Sequence, residues 1–216
     1  MKILFGIIVS VLLICLGVMW YFVLPKNSSA PKQQGSANIE EVSTSITPTD
    51  EETFKIWSSI SDEQYDKNYI GNMIAHHEGA IEMAQIAQSN AKHAELKTLA
   101  SKIIASQKTE VDQMLNWQKA WGYPSTSGAN MQDHSAMGMM NMMTIANDEL
   151  KTKTGDEFDA TFIDLMIKHH QDAIDMSLPG PNNALHQEVK DLAQSIVTTQ
   201  SNEVQQMKEW KKDWGY

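Results

Sequence analysis

The chain has 216 residues with 17 basic and 27 acidic side chains, which gives a formal net charge of −10 at neutral pH. A nucleic-acid partner is not expected at this charge, because binding a phosphate backbone needs a basic face. The single cysteine, Cys15, lies in an apolar N-terminal segment. Any metal held by the rest of the chain must therefore be bound by histidine, methionine, carboxylate or backbone groups.

The N-terminal segment is an uncharged, apolar run of 22 residues, from Ile3 to Leu24. As a helix this run is roughly 33 Å long, which is enough to cross the hydrocarbon core of a bilayer. The apolar core of a cleaved signal peptide is shorter, at about 7–15 residues. We therefore expect residues 1–24 to be an uncleaved membrane anchor, with a removed signal sequence as the alternative. Either reading places the remainder on the periplasmic or extracellular side.

Residues 25–48 are rich in Ser, Pro, Gln and Asn and poor in large apolar side chains, which is typical of a flexible linker. The following residues, 49–216, are sufficient for one domain and contain an internal duplication. Residues 66–123 align with 159–216 at a constant offset of 93 without a gap, giving 27 identities in 58 positions. Each copy ends in the motif W-x-x-x-W-G-Y.

Each copy has the apolar spacing of a helical hairpin, with apolar side chains three and four residues apart. In the first copy we predict one helix from near Ser61 to about Asn90 and a second from about Ala91 to Trp121. Both copies begin with a sequence that fits a capping box, S-D-E-Q in the first and T-G-D-E in the second.

Two hairpins with matching apolar faces predict an all-α fold, a four-helix bundle of two repeats at about residues 49–123 and 144–216. Residues 124–143 are expected to be a methionine-rich loop that joins the repeats. His93 and His186, near the two hairpin turns, are expected at the surface or at helix caps.

The two copies share a pair of adjacent histidines flanked by methionines, in the pattern M-I-x-H-H-x-x-A-I-x-M. Both histidines of each pair fall on buried apolar stripes, where an unpartnered polar group costs roughly 1–3 kcal/mol. Imidazole and thioether without thiol is a ligand set that suits copper, Cu(I) in particular. The alternative is that the histidines are satisfied core residues and the methionines fill space. The candidate metal ligands are Met73, His76, His77, Met83, Glu110 and Met114 in the first copy, and Met166, His169, His170, Met176, Glu203 and Met207 in the second.

The connector between the copies is a second candidate for metal binding. The segment from Asn130 to Met143 holds six methionines and one histidine in fourteen residues. Because Gly, Ser, Asn and Asp are interleaved with them, we interpret it as a binder of Cu(I) or Ag(I), with an apolar loop that grips a partner protein as the alternative. Its candidate ligands are Met131, His134, Met137, Met139 and Met140.

Enzymatic chemistry is weakly indicated. A di-iron bundle of the ferritin kind carries Glu-x-x-His motifs, whereas Met73 and Ile74, or Met166 and Ile167, stand three residues before the histidines. The sequence shows no Ser/His/Asp set, glycine-rich phosphate loop or close carboxylate pair. We therefore expect a binding protein and no catalytic residues.

The paired-histidine motif in both copies, with W-x-x-x-W-G closing each, resembles the domain of unknown function 305 family over roughly residues 49–216. The resemblance implies an exported, ferritin-like four-helix bundle, with copper or silver binding and tolerance in some members. By motif match it implies as ligands Met73, His76, His77 and Met83, with Met166, His169, His170 and Met176 as their equivalents.

The favoured hypothesis is a membrane-anchored extracytoplasmic protein that binds Cu(I), with Ag(I) as a further ligand, for copper buffering, tolerance or hand-over. Its expected partners are metal ions, a copper-handling protein and the membrane, and a homodimer is left open. One alternative is a protein-interaction module with structural histidines. A weaker alternative is a redox enzyme that uses copper or iron.

Overall fold

The computed structural model describes residues 46–124 and 134–216, with only the backbone described for 134–142. The predicted anchor at residues 1–24, most of the predicted linker, and Met131 lie outside these ranges. Within them, no helix is both long enough and apolar enough to span a membrane.

The described residues are helical, and their only β-type pairings are two isolated bridges. The all-α prediction is therefore confirmed for this part of the chain. The helices are α1 Glu51–Ser58, α2 Asp62–Asn90, α3 Ala94–Trp121, α4 His134–Lys151, α5 Gly155–Ser177, α6 Gly180–Asn183 and α7 Gln187–Trp214.

The four long helices pack as two hairpins, α2 on α3 and α5 on α7, and α2 also packs on α5. This arrangement agrees with the predicted duplication, and the predicted ends of α2 and α3 agree with the observed ones to within three residues. The core between the hairpins is not perfectly symmetric. The hydroxyls of Tyr69 and Ser177 share a hydrogen bond of 2.7 Å in the core, whereas the positions related to them by the repeat are the apolar Phe162 and Ala84.

Each hairpin turn is held by a buried carboxylate from the other copy. The carboxylate of Asp159 accepts hydrogen bonds from the backbone N–H groups of Lys92 and His93, at 2.8 and 2.9 Å. In the same way Asp66 accepts from the backbone N–H groups of Leu185 and His186, both at 3.0 Å. These N–H groups lie at the starts of α3 and α7, where backbone donors have no partner within the helix. The carboxylates therefore cap the helices and tie the two copies together.

The motif W-x-x-x-W-G-Y completes the same two junctions. The ring of His93 stacks on the indole of Trp214, with centroids 3.8 Å apart, and His186 stacks on Trp121 at the same distance. His93 and His186 occupy the N-cap positions of α3 and α7, as expected. The two histidine side chains do not cap the helices. Nδ1 of each ring is bonded instead to the capping carboxylate, Asp159 for His93 and Asp66 for His186. We conclude that these motifs serve the fold.

The capping-box prediction is wrong in its side-chain detail. Ser61 and Thr154 occupy the N-cap positions of α2 and α5, but neither side chain bonds to a backbone N–H of its helix. The next residues, Asp62 and Gly155, have φ values of +54° and +61°. A residue with positive φ changes the direction of the chain at the start of each helix. Asp62 forms an isolated bridge to Ala184, and Gly155 forms one to Ala91, so each bridge joins the two copies.

The expected loop between the repeats is helical over residues 134–143, which form the first part of α4. The second half of this helix packs on α2 at Gly79. A Cβ atom at Gly79 would lie 2.7 Å from Cε of Met143, so the missing side chain allows the close approach. The position related to Gly79 by the repeat is Asp172. A loop was predicted there because Gly and Asn interrupt the segment, but contact with α2 favours the helix.

Candidate metal centre

The two histidine pairs lie at the centre of the bundle, on α2 and α5. All four rings are buried. The rings of His76 and His169 face each other across the interface between the copies, with centroids 3.6 Å apart and planes tilted by 36°. Adjacent residues on a helix point about 100° apart. The second histidine of each pair is therefore directed away from this stack, toward the neighbouring helix of its own hairpin.

His77 and His170 each meet a glutamate on that neighbouring helix. Nε2 of His77 lies 2.6 Å from the carboxylate of Glu110, and Nε2 of His170 lies 2.8 Å from that of Glu203. An ionised carboxylate can accept hydrogen bonds but cannot donate them. Nε2–H of each ring is therefore the donor. When such a ring is neutral, the proton on Nε2 leaves a lone pair on Nδ1.

Five imidazole nitrogens in this cluster are buried and have no hydrogen-bond partner within the described residues. They are both nitrogens of His76 and Nδ1 of His77, His169 and His170. The remaining nitrogen, Nε2 of His169, donates to the carbonyl oxygen of His76 at 3.0 Å. Buried polar atoms are nearly always hydrogen-bonded in native proteins. This cluster of unpartnered nitrogens is therefore the candidate ligand site of the bundle.

The rings of His76 and His169, which face each other, are held neutral. Burial lowers the pKa of His76 well below its usual range, and the neighbouring imidazole of His169 lowers it further. Burial also lowers the pKa of His169, with His170 as the next cause. A neutral imidazole has one free lone pair and can bind a metal ion without first losing a proton.

The six candidate methionines of the bundle are fully buried, but the fold groups them differently from the sequence motif. Met83 lies about 15 Å along the helix from Met73, because ten residues separate them at 1.5 Å each. The two residues accordingly belong to different core clusters. One cluster contains Met73, Met114 and Met176, and the other contains Met83, Met166 and Met207. Each set combines two methionines of one copy with one of the other.

Two glutamines are polar groups of this region that were not among the predicted ligands. Gln107 and Gln200 are buried, and Oε1 of each has no hydrogen-bond partner within the described residues. They are identical in the two copies, and they lie one turn before Glu110 and Glu203 on the same helices. Two features of the sequence indicate Gln107 and Gln200: they are identical in both copies, and they are polar residues on a buried stripe.

The described residues include no group of three or more His, Cys, Asp or Glu side chains that could hold a metal ion. The rings of His76 and His169 have centroids 3.6 Å apart and planes tilted by 36°, whereas the lone pairs of an imidazole lie in the plane of its ring. A metal site in the bundle must therefore draw on the thioethers or move an imidazole.

The methionine-rich segment is only partly placed. The backbone of His134, Met137, Met139 and Met140 lies in the first half of α4. Met131 lies outside the described residues. The proposal that these side chains bind soft ions stays a prediction.

Comparison with known proteins adds a family and several solved structures. The sequence model of a family described as "Domain of unknown function (DUF305)" matches residues 66–211. Structures of CopM in a Cu(I)-bound form and an Ag-bound form are 34% identical to this chain, with TM-scores of 0.58 and 0.57. Each covers 69% of this chain and 96% of its own. No curated protein matches the chain.

Two further structures are of proteins described by the same family name. A putative secreted protein from Streptomyces coelicolor is 26% identical over 70% of this chain and 92% of its own, with a TM-score of 0.62. A fragment from Deinococcus radiodurans is 27% identical over 69% of this chain and 96% of its own, with a TM-score of 0.59.

Proposed function

We propose that this chain, which belongs to the DUF305 family, binds copper or silver ions outside the cytoplasm. Structures of CopM, which is 34% identical to it, are of Cu(I)-, Cu(II)- and Ag-bound forms. We propose Cu(I) as the main ligand and Ag(I) as a second one. Buffering, tolerance or hand-over to a copper-handling protein is the role that such binding serves.

The observation that carries this proposal is the arrangement of the His77–Glu110 and His170–Glu203 pairs. A histidine that binds a metal usually donates its other N–H to a carboxylate, which orients the ring and makes it a better ligand. In both pairs Nε2–H is bonded to the glutamate, while Nδ1 is buried and unpartnered. We therefore assign Glu110 and Glu203 an orienting role and the Nδ1 atoms the role of ligands.

The donor set also fits the proposed ion. Thioethers and imidazoles suit Cu(I), whereas hard cations such as Mg²⁺ and Ca²⁺ prefer oxygen ligands. The region combines four histidines with buried methionines, and its two carboxylates are already bonded to histidines. Both glutamates are mostly buried, at 18% and 17% side-chain exposure.

The histidines do not fit the alternative that they are all satisfied core residues. His77 and His170 each have one partner, but His76 has none at either nitrogen within the described residues. An unpartnered buried imidazole destabilises the fold by roughly 1–3 kcal/mol. A bound metal ion would offset this cost, whereas an interaction module would gain nothing from it.

We further propose that the protein acts by binding and that it is not an enzyme. Its extracytoplasmic location is supported by the apolar run at residues 3–24 and by a relative described as a secreted protein. Whether residues 1–24 act as a membrane anchor or a cleaved signal is decided by sequencing the N-terminus of the mature protein.

The direct test is a Cu(I) titration of the purified chain against a competing chelator, with the copper content measured after dialysis. We expect the wild-type protein to retain copper and the double variant His77→Gln with His170→Gln to lose part of it. A variant that unfolds at lower temperature but retains all its copper would contradict the proposed function and favour the structural reading.

A further inference from the structure

An acidic groove of 560 Å³ opens between α3 and α7 on one side of the bundle. Among its described lining residues are three carboxylates, Glu110, Glu188 and Asp191, and no lysine or arginine. Trp117 also lines the groove. The electrostatic potential inside such a groove is negative, and the low-dielectric walls of a cleft strengthen it. A cation is therefore concentrated there relative to bulk solvent.

The groove reaches the histidine cluster through one side chain. The carboxylate of Glu110 lines the groove and is 18% exposed, and its Oε2 is also 2.6 Å from Nε2 of His77. His77 itself is fully buried, and its Nδ1 has no partner within the described residues. Glu110 thus lies between solvent and a buried imidazole.

We propose that this groove is the loading site through which a copper or silver ion enters the bundle. This inference rests on the proposed metal-binding function and adds the route and its asymmetry. Glu188 and Asp191 collect the cation at the mouth. Glu110 receives it at the inner wall, and when the Glu110 side chain turns aside the ion passes the Nε2 edge of the His77 ring toward the buried Nδ1.

The duplication provides an internal comparison, because each lining residue has an equivalent 93 positions away. Glu110 corresponds to Glu203, but Asp191 corresponds to Thr98 and Ser195 corresponds to Lys102. The lining residues of the groove carry three negative charges and no positive one. Their equivalents carry two negative charges, on Glu95 and Glu203, and one positive charge, so the net charge is −1 in place of −3. Loading is therefore expected on the His77 side.

The test measures the rate of loading with Ag(I) as a probe that does not change oxidation state. The full chain in detergent micelles and chloride-free buffer is mixed with Ag(I) in a stopped-flow instrument, and tryptophan fluorescence is followed. The kinetic phase that the variant His77→Gln lacks is assigned to the histidine site. The test variant combines Glu188→Gln and Asp191→Asn. The control combines Glu95→Gln and Asp213→Asn, which changes the net charge by the same amount at exposed positions eleven or more residues along α3 and α7 from the lining residues.

We expect the assigned phase to slow by about three- to tenfold in the test variant at 0.1 M ionic strength, at or below the lower end of the range seen for electrostatic steering. The control should change by less than about twofold, because charges beyond a Debye length of about 10 Å at 0.1 M salt are screened. The amount of Ag(I) bound at equilibrium should be the same in all three proteins. The salt dependence of the rate should be weaker in the test variant than in the wild type.

Two results would overturn the loading site alone while leaving metal binding intact. One is a wild-type rate in the test variant, and the other is equal slowing in the test and control variants. If the wild-type protein holds no Ag(I) at equilibrium, the proposed metal-binding function fails and the loading site with it. The equilibrium measurement therefore separates the two failures.

Discussion

The ring of His77 donates from Nε2 to the carboxylate of Glu110 at 2.6 Å, and Nδ1 of the same ring is buried without a partner. A second pair, His93 and Asp159, has a similar distance of 2.7 Å. The two differ in what surrounds the ring. His93 is partly exposed and stacked on Trp214, whereas His77 lies fully buried beside other histidines. The same kind of pair is thus used once for the fold and once, we propose, for metal.

The first prediction compares these two histidines directly. His77→Gln should reduce the number of copper or silver ions bound, because it removes a ligand and retains a polar side chain of similar bulk. His93→Gln should leave that number unchanged and lower the melting temperature, because it removes the stack on Trp214. Metal analysis and thermal melting on both variants check this. A loss of metal in His93→Gln with none in His77→Gln would reverse the assignment.

The second prediction concerns Glu110 as the residue that orients His77. Glu110→Ala should weaken metal affinity by about ten- to hundredfold, the usual cost of losing a partner of a ligating histidine. Glu110→Gln should be closer to wild type, because its amide oxygen can still accept from Nε2–H. Chelator competition gives both affinities. Equal affinity in wild type and Glu110→Ala would show that the pair is not involved in binding.

The third prediction concerns the carboxylate that links the copies. Asp159→Ala removes the buried acceptor of the backbone N–H groups of Lys92 and His93, so we expect a loss of about 2–4 kcal/mol in the free energy of unfolding. Asp156→Ala is the matched control, because Asp156 also contacts Lys92 but through an exposed ion pair. Exposed pairs contribute about 0–1 kcal/mol. Denaturant melts measure both variants, and comparable losses would refute the capping role.

The fourth prediction is the pH dependence of the metal-free protein. The pKa values of His76 and His169 are lowered in the folded state, whereas both groups titrate near 6.5 when unfolded. Below pH 6.5 the unfolded chain therefore binds protons that the folded chain does not. The free energy of unfolding should be constant above this pH and fall below it by about 1.4 kcal/mol per pH unit for each histidine.

Denaturant melts between pH 7.5 and 5 measure this slope. The variant His76→Gln with His169→Gln should show a flatter dependence over the same range, because its side chains do not titrate. A wild-type slope in the double variant would assign the pH dependence to other groups and contradict the pKa directions.

The fifth prediction separates the methionine-rich segment from the bundle. Replacing its five methionines at positions 131–142 with leucine removes the thioethers and retains apolar bulk and helix propensity. We expect fewer soft ions per chain and an unchanged helical circular dichroism spectrum. If the number of soft ions bound per chain is unchanged and binding to a partner protein is lost, the segment is an interaction surface.

Much of the fold was predictable because helices leave a local signal. Apolar spacings of three and four residues place α2 and α3 to within three residues of their observed ends, and the constant offset of 93 shows that two hairpins repeat. The same pattern placed all four paired histidines on buried stripes. Local spacing was less informative for residues 134–143. Their Gly and Asn residues are compatible with a loop, and the packing of α4 on α2 favours the helix.

What the sequence determined by itself is the set of donors: imidazoles and thioethers, repeated twice and without a thiol outside the N-terminal segment. Which donors meet was decided only by the tertiary structure. Met83 joins Met166 and Met207 of the other copy, and His76 faces His169. The periodicity of one helix records which of its faces is buried, but it contains no information about the copy that covers that face. The contacts that bring the candidate site together are long-range, and they arise only when the two hairpins pack.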